Sequence, residues 1–326
     1  MNEDPRSPEL QTVADGITAI DTFLGGEPQF NAVYLLSGTE PTLVEAGPAA
    51  DAAVIGEALD QLGLGPGDLA HIVVTHIHLD HAGGAGVLAE RYPAATIWAH
   101  ERGIAHLADP GRLIASTART YGEQRMHQLY GTTLPVPADR LRSLADGDRI
   151  ALGARALDVV HTPGHASHHV ALQDSATGVV FTGEAIGSYL PWAECFRPAL
   201  PPPEVDVELA LASIERIRSV GPSALMTSHF GPIADAERGC DRGAERIRRW
   251  SDAVRQILRA RPETHEDEIV DALQAVAADE FLVDSGRPID LERYDAIGSI
   301  RMNATGLSRY WRKRWEREGL EHAPQS

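Results

Sequence analysis

Lysine is all but missing from this chain. Lys313 is the only one among 326 residues, although arginine is plentiful. Schiff-base chemistry therefore has essentially no candidate nucleophile. Cysteine is nearly as scarce. Cys195 and Cys240 do not make a disulfide framework, and a reducing cytoplasm is the default expectation. Positive charge is short overall: the net charge of −18 disfavours phosphate backbones. No apolar run approaches the roughly 20 residues of a membrane span. The polar start Met1-Asn2-Glu3-Asp4-Pro5-Arg6 also lacks the apolar core of a secretory signal. These absences lead us to expect a cytoplasmic protein with a small-molecule substrate, no nucleic acid and no membrane. Nothing in the sequence decides between monomer and homodimer.

Histidine, by contrast, is concentrated. In Thr75-His76-Ile77-His78-Leu79-Asp80-His81, four metal-competent side chains occupy six positions directly after the apolar stretch His71-Ile72-Val73-Val74. Alternate residues of an extended backbone point the same way, so His76, His78 and Asp80 can converge. His81 can then turn toward a second point, at the start of the glycine-rich segment 82–86. Imidazole nitrogens with one carboxylate are what borderline divalent metals prefer. Three more candidates stand alone downstream. They are His165 in Thr162-Pro163-Gly164-His165, Glu184 in Phe181-Thr182-Gly183-Glu184, and His229 in Thr227-Ser228-His229-Phe230-Gly231. Each follows a short apolar run beside Gly or Pro, the pattern of a strand ending in a loop.

Taken together, these motifs resemble the metallo-β-lactamase-fold hydrolase superfamily, in its glyoxalase II and lactonase-like branch, over about residues 15 to 235. Periodicity alone supports only an α/β or α+β class. The resemblance implies a four-layer αβ/βα sandwich. It further implies that His76, His78 and His165 hold one metal, that Asp80, His81 and His229 hold a second, and that Glu184 bridges them. Two zinc ions are the expected cofactors, with iron or manganese as alternatives. A metal-bound hydroxide would attack a small ester, lactone or thioester, with Asp80 orienting it and moving its proton. Structural zinc sites are usually closed by four ligands, often cysteine. Six nitrogen and oxygen ligands plus a bridge suit open sites better. The competing function is an iron-dependent oxidoreductase doing oxygen or persulfide chemistry on the same fold. A binding protein with a decayed metal site ranks third.

Two positions depart from the family pattern, Glu184 and Glu45, each standing where Asp is usual. The extra methylene adds about 1.5 Å of reach. A retained or partial bridge, binding to one metal only, and preference for a harder ion all stay open, the first being favoured.

The loop 187–198 is aromatic and proline-stiffened. It reads as a pocket wall for an apolar or acyl substrate portion, or else as a loop beneath the C-terminal helices. Tyr189 is its candidate oxyanion-stabilising hydroxyl and Arg197 its candidate for a substrate carboxylate. Cys195 is expected near the metals without a base to activate it. The segment Tyr121 to Tyr130 is expected on the opposite wall. One of His168 and His169 could orient a ligand, whereas His71, His100, His106, His127 and His161 read as hydrogen-bonded structure. His265 and His322 are given no role.

Along the chain, strands are expected at 16–20, 32–36, 42–44, 71–75, 95–99, 150–152, 157–160, 169–172, 179–181 and 224–227. Helices are expected at 51–62, 87–91, 113–130 and 205–220, after a loose polar stretch over 1–13. Residues 1–238 form the expected catalytic domain and 239–326 a helical extension over 244–260, 264–278 and 290–318. That extension either covers the metal face or packs on the sandwich. Its basic, aromatic stretch 309–315 reads as a helix docking its aromatics and snorkelling its arginines.

Overall fold

In a computed structural model describing residues 7–319, two β-sheets lie at the centre. The first runs in chain order: β1 (Leu10–Ala14), β2 (Ile17–Asp21), β3 (Ala32–Leu36), β4 (Thr42–Val44), β5 (His71–Val73), β6 (Thr96–His100) and β7 (Leu141–Leu144). It is antiparallel through β4 and parallel beyond. The change follows from the connections, since parallel neighbours need crossovers long enough to hold helices. These carry α1 (Ala52–Gln61), α2 (Leu79–Ala82), α3 (Ala85–Arg91), α4 (Ala105–Ala108), α5 (Gly111–Tyr121) and α6 (Glu123–Tyr130).

The second half supplies β8 (Arg149–Leu152), β9 (Arg155–His161), β10 (Val170–Asp174) and β11 (Val180–Gly183). A separate hairpin follows, β12 (Ser188–Leu190) with β13 (Cys195–Arg197). Helix α7 (Val207–Ser219) then leads to β14 (Leu225–Thr227). The second sheet has the order β14-β11-β10-β9-β8, and only the β11–β14 pair is parallel. Four helices follow among the described residues: α8 (Ala236–Ala260), α9 (Glu266–Ser285), α10 (Leu291–Tyr294) and α11 (Ser299–Arg317).

Side-chain alternation along the strands builds the layers. Every residue of β3 is buried, because both faces of the first sheet are covered. Ala32, Tyr34 and Leu36 pack against Leu157, Val170 and Phe181 of the second sheet. Val33 and Leu35 face the other way, onto Ile55, Leu59 and Leu88 of α1 and α3. The outer face of the second sheet puts Val180 and Leu225 against Ile214 of α7 and Trp250, Phe281 and Leu307 of the C-terminal helices. Helix, sheet, sheet, helix: this is the expected four-layer sandwich.

Several local expectations need correction. The polar stretch over 1–13 contains β1, whose Leu10 pairs with Ile20. Strand β7 is not among the expected strands; two of its four residues are exposed. The helix expected over 113–130 breaks at Gly122, which takes φ 77°, so α5 and α6 meet at an angle that an L-residue would resist. Gly298 likewise separates α10 from α11. In the stretch 309–315, Tyr310 and Trp311 are buried, with Arg255 and Arg314 over the Trp311 ring at 5.3 and 5.5 Å. No helix among the described residues is long and apolar enough to cross a membrane. Residues 1–6 and His322 lie outside the described residues.

Candidate metal centre

The site lies where the strand ends of both sheets meet. β5 ends at Val73, and the chain passes through His76 and His78 before α2 carries Asp80 and His81 on its single turn. From the second sheet, His165 follows β9, Glu184 follows β11 and His229 follows β14. The loop bearing His165 is held close to α7. Gly164 has φ 132°, and a Cβ there would stand 2.3 Å from the Ala210 amide nitrogen. Only glycine fits that approach.

The seven expected residues come together as two neighbouring groups. His76, His78, His165 and Glu184 offer donor atoms within 4.8 Å of one another, and so do Asp80, His81 and His229. In the first group, Nδ1 of His78 lies 3.1 Å from Nε2 of His76 and 2.9 Å from Nε2 of His165. In the second, Oδ2 of Asp80 lies 3.6 Å from Nε2 of His81 and 3.5 Å from Nε2 of His229. Glu184 reaches both. Its Oε2 is 2.9 Å from Nε2 of His165 and 3.5 Å from Nε2 of His76 and of His81, while Oε1 is 3.3 Å from Nε2 of His229.

The far side of each ring decides which nitrogen faces inward. Nδ1 of His165 lies 2.9 Å from the Ala199 carbonyl, and Nδ1 of His229 lies 2.8 Å from the Phe30 carbonyl. A carbonyl can only accept, so both Nδ1 atoms carry the proton in the neutral ring and both Nε2 lone pairs point into the centre. His76 is fixed through Nδ1 to the Thr75 hydroxyl at 3.0 Å, and that hydroxyl donates to Glu45. The inward lone pairs of His76 and His165 then converge in the first group, and Nδ1 of His78 can donate to only one of them. A cation resolves the repulsion. Nitrogens bound tetrahedrally at about 2.0–2.1 Å stand roughly 3.3 Å apart, close to the separations seen. The donor set therefore fits a divalent metal.

Electrostatics agree. Burial, then the neighbouring imidazoles, holds His76 and His78 well below the ordinary histidine range. Burial would raise the Asp80 carboxyl, but His81 and His229 outweigh it and bring it down to about 2. The same balance, led by His165 and His229, holds Glu184 down. Conversely, burial is overcome at His229 by Glu184 and Asp80, which push it up to about 9. The carboxylates thus draw positive charge to the place where a cation would sit.

Around this centre opens a cleft of about 280 Å³. Tyr121 and Tyr130 line it as expected, their rings 5.6 Å apart and their hydroxyls raised first by burial and then by neighbouring groups, the Asp80 and Glu184 charges among them. Tyr189 does not line it. Hairpin pairing sets Tyr189 opposite Phe196, the rings 5.1 Å apart in the core beneath the C-terminal helices, while Ser188 pairs with Arg197 and both line the cleft. Its proposed oxyanion role is corrected on that geometry. Cys195 is buried away from the cleft, and burial pushes its thiol up, so it offers no thiolate. His169 is an anchor rather than a ligand: its Nε2 accepts from the Glu184 amide at 3.0 Å and its Nδ1 meets the Thr162 hydroxyl at 2.8 Å. His168 lines the cleft.

Sequence reasoning missed one wall. Residues 198–204, rich in proline, form a strap along the cleft. Asn303 of α11 fixes it, donating from Nδ2 to the Pro198 carbonyl at 2.8 Å and accepting at Oδ1 from the Leu200 amide at 2.6 Å. No motif marks such a strap, although three successive prolines signal a stiff segment.

The two facing sheets and the imidazole–carboxylate centre at their shared edge define a metal-binding αβ/βα sandwich protein. More particularly, the chain belongs to the metallo-beta-lactamase superfamily, whose model matches residues 26–229. It is 25% identical over 257 residues to the probable metallo-hydrolase YqjP of Bacillus subtilis (strain 168), spanning 71% of this chain and 77% of that protein. It is 27% identical over 223 residues to an N-acyl homoserine lactonase from Bacillus sp, spanning 68% and 76%. The acyl-coenzyme A thioesterase MBLAC2 of Gallus gallus is 31% identical over 147 residues, but only 40% of this chain and 47% of that one are covered. A beta-lactamase domain protein from Burkholderia ambifaria shares the fold, with a TM-score of 0.65 and 21% identity over 98% of this chain and 91% of the other.

Proposed function

We propose that this chain is a metal-dependent hydrolase of small esters, lactones or thioesters. One observation carries the reading: the Glu184 carboxylate stands between two groups of inward-facing imidazoles at the floor of a cleft. His76, His78 and His165 would hold one divalent ion, and Asp80, His81 and His229 a second, with Glu184 touching both. Zinc suits the nitrogen-rich donors, and iron or manganese is the alternative. When bound, such a pair supplies Lewis acidity and a water that ionises near pH 7.

The chain's own residues do the rest. Thr75, Ala199 and Phe30 hold the rings in register through their outer nitrogens. Asp80 stays ionised, so it can accept a hydrogen bond from an attacking water and pass the proton onward. Tyr121 and Tyr130 stay protonated and can donate to developing negative charge. Ile77, Leu79 and the strap at 198–203 give the acyl portion an apolar bed. In this reading the helical extension, 239–326, completes the wall through Met302 and Asn303. The lactonase and thioesterase relatives support acyl substrates.

The test is metal analysis by mass spectrometry with hydrolysis assays on aryl ester, lactone and thioester panels. About two metals per chain, with turnover that a chelator abolishes, is the expected result. Iron with oxygen-dependent activity and no hydrolysis would overturn it in favour of the oxidoreductase.

A further inference from the structure

We infer that the cleft selects an acyl group bearing its own carboxylate, recognised by Arg197. The inference rests on the hydrolase reading and narrows it to one substrate class.

Arg197 and Arg246 are the two charged residues among the largest fully buried side chains. Their surroundings differ sharply. Arg246 has Asp284 at 2.6 Å and Glu280 at 3.5 Å. Arg197 is 2% exposed, yet no carboxylate among the described residues pairs with it. Its Nη1 donates to the Tyr294 carbonyl, the guanidinium lies 5.5 Å from the Tyr294 ring centre, and Nε has no partner. Guanidinium stays charged in any protein environment, and a buried charge without a counterion is costly. Such a group is retained where something else brings the negative charge.

The surroundings identify that something as a ligand. Arg197 lines the cleft, and so does Ser188, its partner across the hairpin. With Nη1 taken by a carbonyl, the edge left is Nε with Nη2. That edge presents two parallel N–H bonds, which match the two oxygens of a carboxylate. The wider cleft adds two exposed arginines. Arg102 and Arg112 line it as well, and neither forms an ion pair among the described residues. This occurs in a chain with 47 acidic against 29 basic residues, where counterions are in surplus. Arginines left unpaired in such a chain, and gathered at one cleft, favour an anionic guest. A lone buried fork suits a singly charged carboxylate better than a phosphate, which would call for further donors beside it.

The metal-loaded protein tests this in two ways. The first is binding, by calorimetry, of glutarate against butyrate; both bring one carboxylate for the metals, and only glutarate brings a second. At least about 10-fold tighter binding of glutarate is expected, a margin well within one charge-assisted bidentate contact. The second is hydrolysis of mono(4-nitrophenyl) glutarate against 4-nitrophenyl butyrate, with the preference for the former appearing in KM. Arg197→Gln should bring both ratios close to one, and Arg197→Lys should restore part of each. Ser188→Ala, milder for folding, should reduce the glutarate preference without reversing it. Equal binding of the two acids by the wild-type protein overturns the inference and leaves the hydrolase reading standing. Glutarate preference with no ester turnover would sink the hydrolase reading, leaving Arg197 as an anion site. Inorganic phosphate binding more tightly than glutarate in an Arg197-dependent way would overturn the carboxylate assignment.

Discussion

Oε1 of Glu45 stands 3.4 Å from Nδ1 of His81, and Glu45 takes a left-handed backbone, φ 68°, to place it there. That conformation costs a non-glycine residue about 1–3 kcal/mol. It persists because the carboxylate is held from three other directions: the Thr75 amide at 3.1 Å, the Thr75 hydroxyl, and the Ser228 hydroxyl at 2.6 Å. Glu45 thus joins both sheets to the imidazole it orients.

Shortening this residue should be felt at the metal. Glu45→Asp cannot reach His81 while keeping Thr75 and Ser228, so metal affinity should fall about 10–100-fold. Competition with a chromogenic chelator measures it. Affinity equal to the wild type would mean that His81 needs no orientation from Glu45.

The two tyrosines should separate cleanly. Tyr121→Phe removes a hydroxyl facing the Asp80 and Glu184 charges, and kcat should drop at least about 10-fold. Tyr189→Phe alters a ring packed on Phe196 and should leave kcat within about 2-fold. Steady-state kinetics on one ester decides, and a reversed order would return Tyr189 to the active site.

Tyr189 lies close to Glu184 in sequence, yet that nearness does not put it in the cleft. Strand alternation decides, since Ser188 and Tyr189 must point to opposite faces of the hairpin. The histidine cluster was legible for the opposite reason: its spacing, i, i+2, i+4 and i+5, has few uses other than convergence. His165, Glu184 and His229 are legible because each lies in the loop that follows a strand. Glu45 was noticed only as a departure from a pattern, because its left-handed backbone leaves no trace in composition. Strand β1 escaped since Leu10, Gln11 and Thr12 stay exposed, giving periodicity nothing to register. The helix over 113–130 was overextended because Gly122 costs only about 1 kcal/mol inside a helix, too little to mark a break.

Gly164 gives a stability prediction. In Gly164→Ala the new methyl would meet the Ala210 amide nitrogen at 2.3 Å and its Cα at 2.4 Å. Backbone meets backbone there, so relief requires moving α7 or the His165 loop. A loss of about 3 kcal/mol is expected, with weaker metal binding through His165. Chemical denaturation checks the first and chelator competition the second. A variant as stable as the wild type would show that this loop yields freely.

A pH effect should arise far from the metals. Burial raises Glu280 to about 7, against the opposing pull of Arg246 and the hydrogen bond from Trp250. Between about pH 4.5 and 7 the folded protein keeps a proton that the unfolded chain releases. The stabilisation is therefore complete below about 4.5 and lost as pH rises to about 7, on the order of 3 kcal/mol. Glu280→Gln should flatten that part of the profile. Denaturation of both proteins at pH 5 and pH 8 tests it, and parallel profiles would show that Glu280 ionises normally.

Asn303 gives the molecule an order of events. A ribosome releases the His165 loop long before α11, yet the carbonyl that sets the His165 ring belongs to Ala199, inside the strap that Asn303 ties down. Until α11 emerges and docks, the strap carrying that carbonyl is not tied down, and the first group of donors is short of its final shape. A chain truncated before α11 would carry all seven candidate ligands and lack the side chain that ties down the strap beside His165.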